Sequence, residues 1–324
     1  MLLTLGTAPD SIRIAPLWTA FCFPSCWQRC GLLWFMALTL GAQSVGGEEA
    51  TGAAHAVAEP VAWQTDYPTA WKQAITAKQY LLIHFSSKQG SRQHAHFMQY
   101  ACHDRQVQKR MQRYNCLRLQ EDERVQFEGR HIVLLEDLSF TEMRATEGLA
   151  VVDYRDPQSP TFGQVVGCLP FVKPDYYAPR YESSASVATF LGLPPGSLTQ
   201  RMLIYAVRMH PETPQSIAGT ASAALLEAAT EHCRRQASLQ RQGHQRWEAR
   251  FPQIWAAVGG EPPVEVCAES WPDEPLLTAC LGCVYAWRQS GGHWRAVTRA
   301  YPLFGYDICR GKDRIWYATG IFGG

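Results

Sequence analysis

The residues best suited to chemistry stand in three short segments of the last third of the chain: Gly243-His244, Cys267-Ala268-Glu269, and Trp287 to His293 (WRQSGGH). Imidazole and carboxylate groups pass protons near neutral pH, and a neutral imidazole is also a good ligand for zinc or copper. Ser290 adds a hydroxyl, which serves as a nucleophile only if an imidazole such as that of His293 activates it. A purely structural reading stands beside this one. Gly291, Gly292 and His293 then cap the helix ending near Trp287, while His244 and His232 are hydrogen-bonded core residues. Cys280-Leu-Gly-Cys283 has the spacing of redox and zinc motifs. On a helix, however, the two thiols share a face, and no second pair stands at zinc-ribbon spacing. Structural thiols, or disulfides to Cys267 and Cys309, are the expectation. His94 and His96 sit close together but lack an evident third ligand, so they read as solvated polar residues.

Elements must hold these groups in place. The spacing of Trp63, Tyr67, Ala70, Trp71, Ala74 and Ile75 predicts a helix feeding the apolar strand Tyr80 to Phe85 (YLLIHF). Further helix is expected through Phe97, Val107 and Met111, and strands at 115–119, 149–154 and 164–169. Helices alternating with strands predict an α/β layer. Gly192 to Ser197 (GLPPGS) breaks the pattern and reads as a linker. Beyond it, helices are expected at 198–210, 221–240, around Trp247 and Phe251, and at 276–287. Two late strands, 303–309 and 314–322, are joined by Arg310 to Asp313 (RGKD) as a tight hairpin. Helices over a small antiparallel sheet predict an α+β sandwich, so the expected fold class is α/β plus α+β.

The bulk numbers agree with a globular chain of two domains. There are 324 residues, 46% hydrophobic and 18% charged, with a formal charge of +1. That balance supplies packed cores and excludes an overall electrostatic footprint for nucleic acid. Arg29, the apolar run Gly31 to Ala42, and the small polar segment Gln43 to Gly47 have the order of a signal peptide. About 12 apolar residues are too few to cross a hydrocarbon core of about 30 Å, so no stable transmembrane span is expected after cleavage. The expected organisation is a signal region with an extended start at 1–47, a Gly/Ala/Glu-rich spacer at 48–60, domains at 61–191 and 198–324, and the linker 192–197. Eight cysteines follow the signal region and, in an oxidising compartment, are either buried thiols or disulfides.

Two resemblances sharpen this. Trp63, Asp66, Tyr67, Ala70, Ala74, Lys78, the strand to Phe85, then Phe97, Asp104 and Val107 resemble a thioredoxin-like domain of the exported bacterial kind. Its redox cysteines would fall at Gly90 and Gln93, and the proline before its later strand is replaced by Glu147-Gly148. The resemblance therefore implies a redox-inactive scaffold. Over 198–324, the segments that open this section are similar to the CAP (or SCP) domain of secreted proteins, a CAP-type α-β-α sandwich. Matched by order, His232 is its helix histidine, His244 its cleft histidine, Glu269 its motif glutamate and His293 its final histidine. Ser290 stands where many members carry a second acidic residue, and Cys267-Ala268-Glu269-Ser270 replaces Gly-Glu-Asn.

The CAP resemblance implies a cleft of His244, Glu269 and His293 able to hold one divalent metal, such as zinc, with an open position. The expected function is an exported binding or recognition protein, secreted or in the periplasm or cell envelope, with an extracellular or envelope ligand. The alternative is a metal-assisted or general-base hydrolase using the same cleft. A third reading makes Cys280 and Cys283 a redox pair.

Overall fold

In the computed structural model, residues 61–324 are described, apart from Glu128 and Asp175. The signal region 1–47 and spacer 48–60 lie outside the described residues. The described residues are of mixed α/β class, with two four-stranded sheets and a two-stranded one.

Helix α1 (Tyr67–Ala77) starts where the Asp66 carboxylate accepts the Thr69 amide, and it ends where Lys78 turns left-handed. Strand β1 (Tyr80–Ser86) is buried along its whole length. The short helices α2 (Arg92–Gln99) and α3 (Arg105–Met111) lead to β2 (Tyr114–Gln120), which runs parallel to β1. The hairpin β3 (Arg124–Phe127) and β4 (Arg130–Val133) follows, then β5 (Gly148–Asp153) and β6 (Val165–Pro170). The first sheet has the order β2-β1-β5-β6, its last two pairings antiparallel. Alternation along β1 sends Leu81, Ile83 and Phe85 towards α1, and Tyr80 and Leu82 into a larger core on the opposite face.

Helix α4 (Ser184–Leu191) and helix α5 (Leu198–Arg208) flank the expected linker 192–197. Ser197 and Gln200 close a reciprocal capping box at the start of α5. The second sheet has the order β7-β9-β10-β8, from β7 (Thr220–Ala221), β8 (Val264–Glu269), β9 (Leu303–Arg310) and β10 (Trp316–Gly323). It is flanked by α6 (Ala223–Leu239), α7 (Trp247–Val258), α8 (Leu276–Gln289) and α9 (Gly291–Thr298). Helix α6 lies directly on β9, and a side chain at Gly305 would run into the Leu225 backbone. Cys233 of α6 and Cys309 of β9 are joined by a disulfide.

Met202 to Val207 of α5 are all fully buried, because the helix touches β6 on one side and β9 and α8 on the other. Leu82 and Val151 of the first sheet thus share one hydrophobic core with Leu281 of α8 and Phe304 and Ile308 of β9. The described residues belong to a single compact unit. Among them no helix is long and apolar enough to cross a membrane.

Candidate functional site

Strand β8 decides the site. It pairs antiparallel with β10 and sends Val266 and Ala268 into the main core. Glu265, Cys267 and Glu269 therefore project from its other face. Glu265 is buried, its side chain only 1% exposed, and three positively charged or imidazole groups converge on it. His244 Nδ1 lies 3.0 Å from Oε1. Arg250 Nη2, from α7, donates to both oxygens at 3.0 and 2.7 Å. His232 Nε2, from α6, is 3.5 Å away. His232 makes a shorter contact, 2.8 Å, with the Gly243 carbonyl, so Nε2 carries its proton and donates there. Burial holds His232 below the ordinary histidine range, ahead of the opposing effect of Glu265.

His244 stands in the turn between α6 and α7 with its side chain 43% exposed. The contact of Nδ1 with Glu265 turns Nε2 to the other side of the ring, where it faces His293 Nε2 at 3.5 Å. His293 lies in the first turn of α9 and is half-buried. Burial, then the neighbouring His244 imidazole, lower its pKa, so it also offers a neutral nitrogen at neutral pH. The arrangement is a pair of converging, partly exposed imidazoles, one oriented from behind by a buried carboxylate.

Two expected members of this cleft stand elsewhere. Glu269, the last residue of β8, is exposed and makes no hydrogen bond or ion pair with His244 or His293 among the described residues. Glu265, two pleats back on the same strand face, supplies the carboxylate. A signal for it was present, since a carboxylate between Val264 and Val266 in a buried strand needs a partner. Ser290 precedes α9 and makes no hydrogen bond to His293. The glycines after it open a further helix instead of capping α8.

The ligand atoms of His232, Glu265 and Cys267 come within 4.8 Å of one another. Arg250 already holds both oxygens of Glu265, and a second cation beside that guanidinium is disfavoured by charge. Cys267 Sγ lies 3.7 Å from His244 Nδ1, but burial keeps its thiol well above the ordinary cysteine range. It is not a thiolate nucleophile.

The remaining sequence candidates separate. Cys280 and Cys283 are buried free thiols on α8, Cys267 is also free, and Cys309 pairs with Cys233, so of the two expected roles the structure has structural thiols and not disulfides to Cys267 and Cys309. Burial raises both α8 thiols. His96 Nε2 contacts Arg180 Nη2 at 2.8 Å, whereas His94 stacks on His84 of β1 with ring centroids 5.1 Å apart. The two nearby histidines therefore face different partners. Where a redox pair would sit, Ser91 caps α2 and donates to the Glu147 carboxylate.

His84 carries a pH prediction. It is wholly buried among Trp63, Phe97 and Phe171, and neither ring nitrogen has a partner. Burial, then His94 and Arg118, hold its pKa well below the usual 6.5. The unfolded chain thus binds its proton first as pH falls, so this contribution to stability is complete above 6.5 and is lost progressively below it. Urea midpoints measured from neutral to mildly acid pH should fall with a slope to which His84 adds up to about 1.4 kcal/mol per pH unit. His84→Leu should flatten that slope; an unchanged acid limb in the variant would assign the effect to other groups.

No protein-family model, curated protein or solved structure matches this chain.

Proposed function

We propose that this is an exported binding protein in which His244 and His293 of a CAP-like half take one divalent metal ion, with zinc the best fit, and in which a redox-inactive thioredoxin-like half serves as scaffold. The observation that carries the reading is the 3.5 Å approach of the two Nε2 atoms. Two imidazoles at Zn–N distances of about 2.0–2.1 Å around a tetrahedral ion stand roughly 3.4 Å apart. The fit extends to the second nitrogen of His244, which donates to a carboxylate as metal-bound histidines commonly do.

When bound, the ion supplies Lewis acidity and open positions for an external ligand. The protein orients His244 through Glu265, lowers the pKa of His293 by partial burial, and pairs Glu265 with Arg250. The sheet order β2-β1-β5-β6, and the start of α2 beside Glu147, support the thioredoxin-like reading of the first half. Absence of thiols at Gly90 and Gln93 supports its redox inactivity. The binding reading is preferred to hydrolysis because Ser290 is not bonded to His293 and the Cys267 thiol stays protonated.

Titration of the purified chain with zinc and with copper should give one ion per chain, lost in His244→Ala/His293→Ala. Both histidines are partly exposed, so the double variant should retain its circular dichroism and thermal midpoint. Unsaturable binding, or binding retained in the variant, would remove the site.

A further inference from the structure

A second feature lies away from the imidazole pair. A groove of about 860 Å³ runs between the β5–β6 loop, the start of α5, and the face that α6 shares with β9. That volume is within the usual range of small-molecule sites, about 300–1,000 Å³. Neither His244 nor His293 lines it.

Its floor is Asp307 of β9, only 2% exposed. The carboxyl group accepts the Thr230 hydroxyl at 2.6 Å and the Ile308 amide at 2.8 Å, and burial pushes its pKa above the usual carboxylate range. A carboxyl group offers more acceptor positions than these two bonds use, so it can still accept from a hydroxyl entering from the groove. Gln200 Nε2, which also lines the groove, donates to the Thr230 hydroxyl at 3.1 Å. The groove also carries exposed guanidinium groups. Arg234 of α6 forms no ion pair among the described residues, and its charge is felt by Asp307. Arg310 lies over the Trp316 ring at 5.7 Å and is 3.5 Å from Asp273, itself exposed. Guanidinium groups suit planar recognition of carboxylate or phosphate, and a buried carboxylate with a spare acceptor position suits a hydroxyl. The Cys233–Cys309 disulfide ties α6 to β9, so the two walls are held before any ligand arrives.

We infer that this groove binds a small anionic polyhydroxylated ligand, a sugar acid or a sugar phosphate, with its anionic group on Arg234 and Arg310 and a hydroxyl on Asp307. The requirement is dual. A bare anion leaves Asp307 unused, and a neutral sugar leaves the Arg234 guanidinium unpaired.

Calorimetric titration of the full chain with digalacturonic acid, glucose phosphate, cellobiose and inorganic phosphate tests this. One site per chain is expected for at least one of the two acidic sugars, and which one binds distinguishes the carboxylate from the phosphate source. Arg234→Glu and Arg310→Glu, both at exposed positions, should each weaken binding tenfold or more. Asp307→Asn should weaken it while the thermal midpoint reports on folding. The inference is overturned if neither acidic sugar binds, if cellobiose or inorganic phosphate binds as tightly, or if Arg234→Glu leaves the affinity unchanged. Because the groove shares no residue with the imidazole pair, His244→Ala/His293→Ala should bind the acidic sugar as the parent chain does.

Discussion

Glu265→Ala should lower folding stability by about 3–5 kcal/mol, the range for breaking a buried ion pair from one side. The reason is the group left behind. Arg250 is mostly buried, with 15% of its side chain exposed, and its Nη1 has no hydrogen-bond partner. Without the carboxylate its charge keeps only the Gln245 carbonyl, which accepts from Nε at 3.3 Å, and the Trp247 ring. The same substitution frees His244 to turn, because Nδ1 loses its acceptor. Zinc affinity should drop by about 10- to 100-fold, the usual effect of removing a carboxylate behind a metal-bound histidine. Glu265→Gln keeps the volume and one acceptor, so it should restore part of the stability and less of the affinity. Glu269→Ala, at an exposed position, should change stability by no more than about 0.5 kcal/mol. Urea denaturation and zinc titration of the three variants check both halves. Equal effects at 265 and 269 would be incompatible with the geometry of β8.

The contrast between these two glutamates explains how far the sequence could be read. His244 and His293 were picked out as imidazoles that each stand just after glycine, and the structure brings their Nε2 atoms to 3.5 Å. The acidic partner was not legible from motif order, because residues 265 and 269 occupy the same strand face and only burial separates them. His232 fits its structural reading, bonded to the Gly243 carbonyl. Cys309 shows a different limit. Its partner is Cys233, on a helix 76 residues earlier, and no local spacing encodes such a pairing.

In the fold, strong periodicity located the elements well. The strand at 80–85, the long helix near 221–240 and the late hairpin all occur within a few residues of their expected bounds. The β3–β4 hairpin was not foreseen, since its strands have four residues each, two of them exposed in either strand. Helix α9 was missed because Gly291 and Gly292 look like a helix end, whereas Trp294, Ala296 and Val297 bury a face that holds the turn in place. The prolines at 194 and 195 do interrupt helix. They do not by themselves reveal that the helices on either side pack into a common core, which depends on contacts far apart in sequence.

That common core is why Arg201 is expected to have the other large effect. This arginine of α5 is wholly buried and has no carboxylate partner. Its Nε donates to the Val166 carbonyl at 2.7 Å, on the edge strand of the first sheet, and Nη1 donates to the Pro194 and Leu193 carbonyls at 2.9 and 3.3 Å. The guanidinium also lies near the Tyr80 ring, 5.3 Å from its centroid. One side chain therefore satisfies carbonyls of β6 and of the 192–197 segment while sitting on the helix that leads into the second sheet. Arg201→Ala removes this packing and strands buried acceptors, at a cost of about 3–5 kcal/mol. Arg201→Lys should recover less than half, because an ammonium group cannot reproduce the planar fork. The way the loss is distributed carries more information than its size. If the two sheets unfold as one cooperative unit, far-UV and tryptophan signals should share a single transition that moves as a whole in the variant. Two separated transitions, with only the first displaced, would mean that the core joining the halves is too weak to couple them.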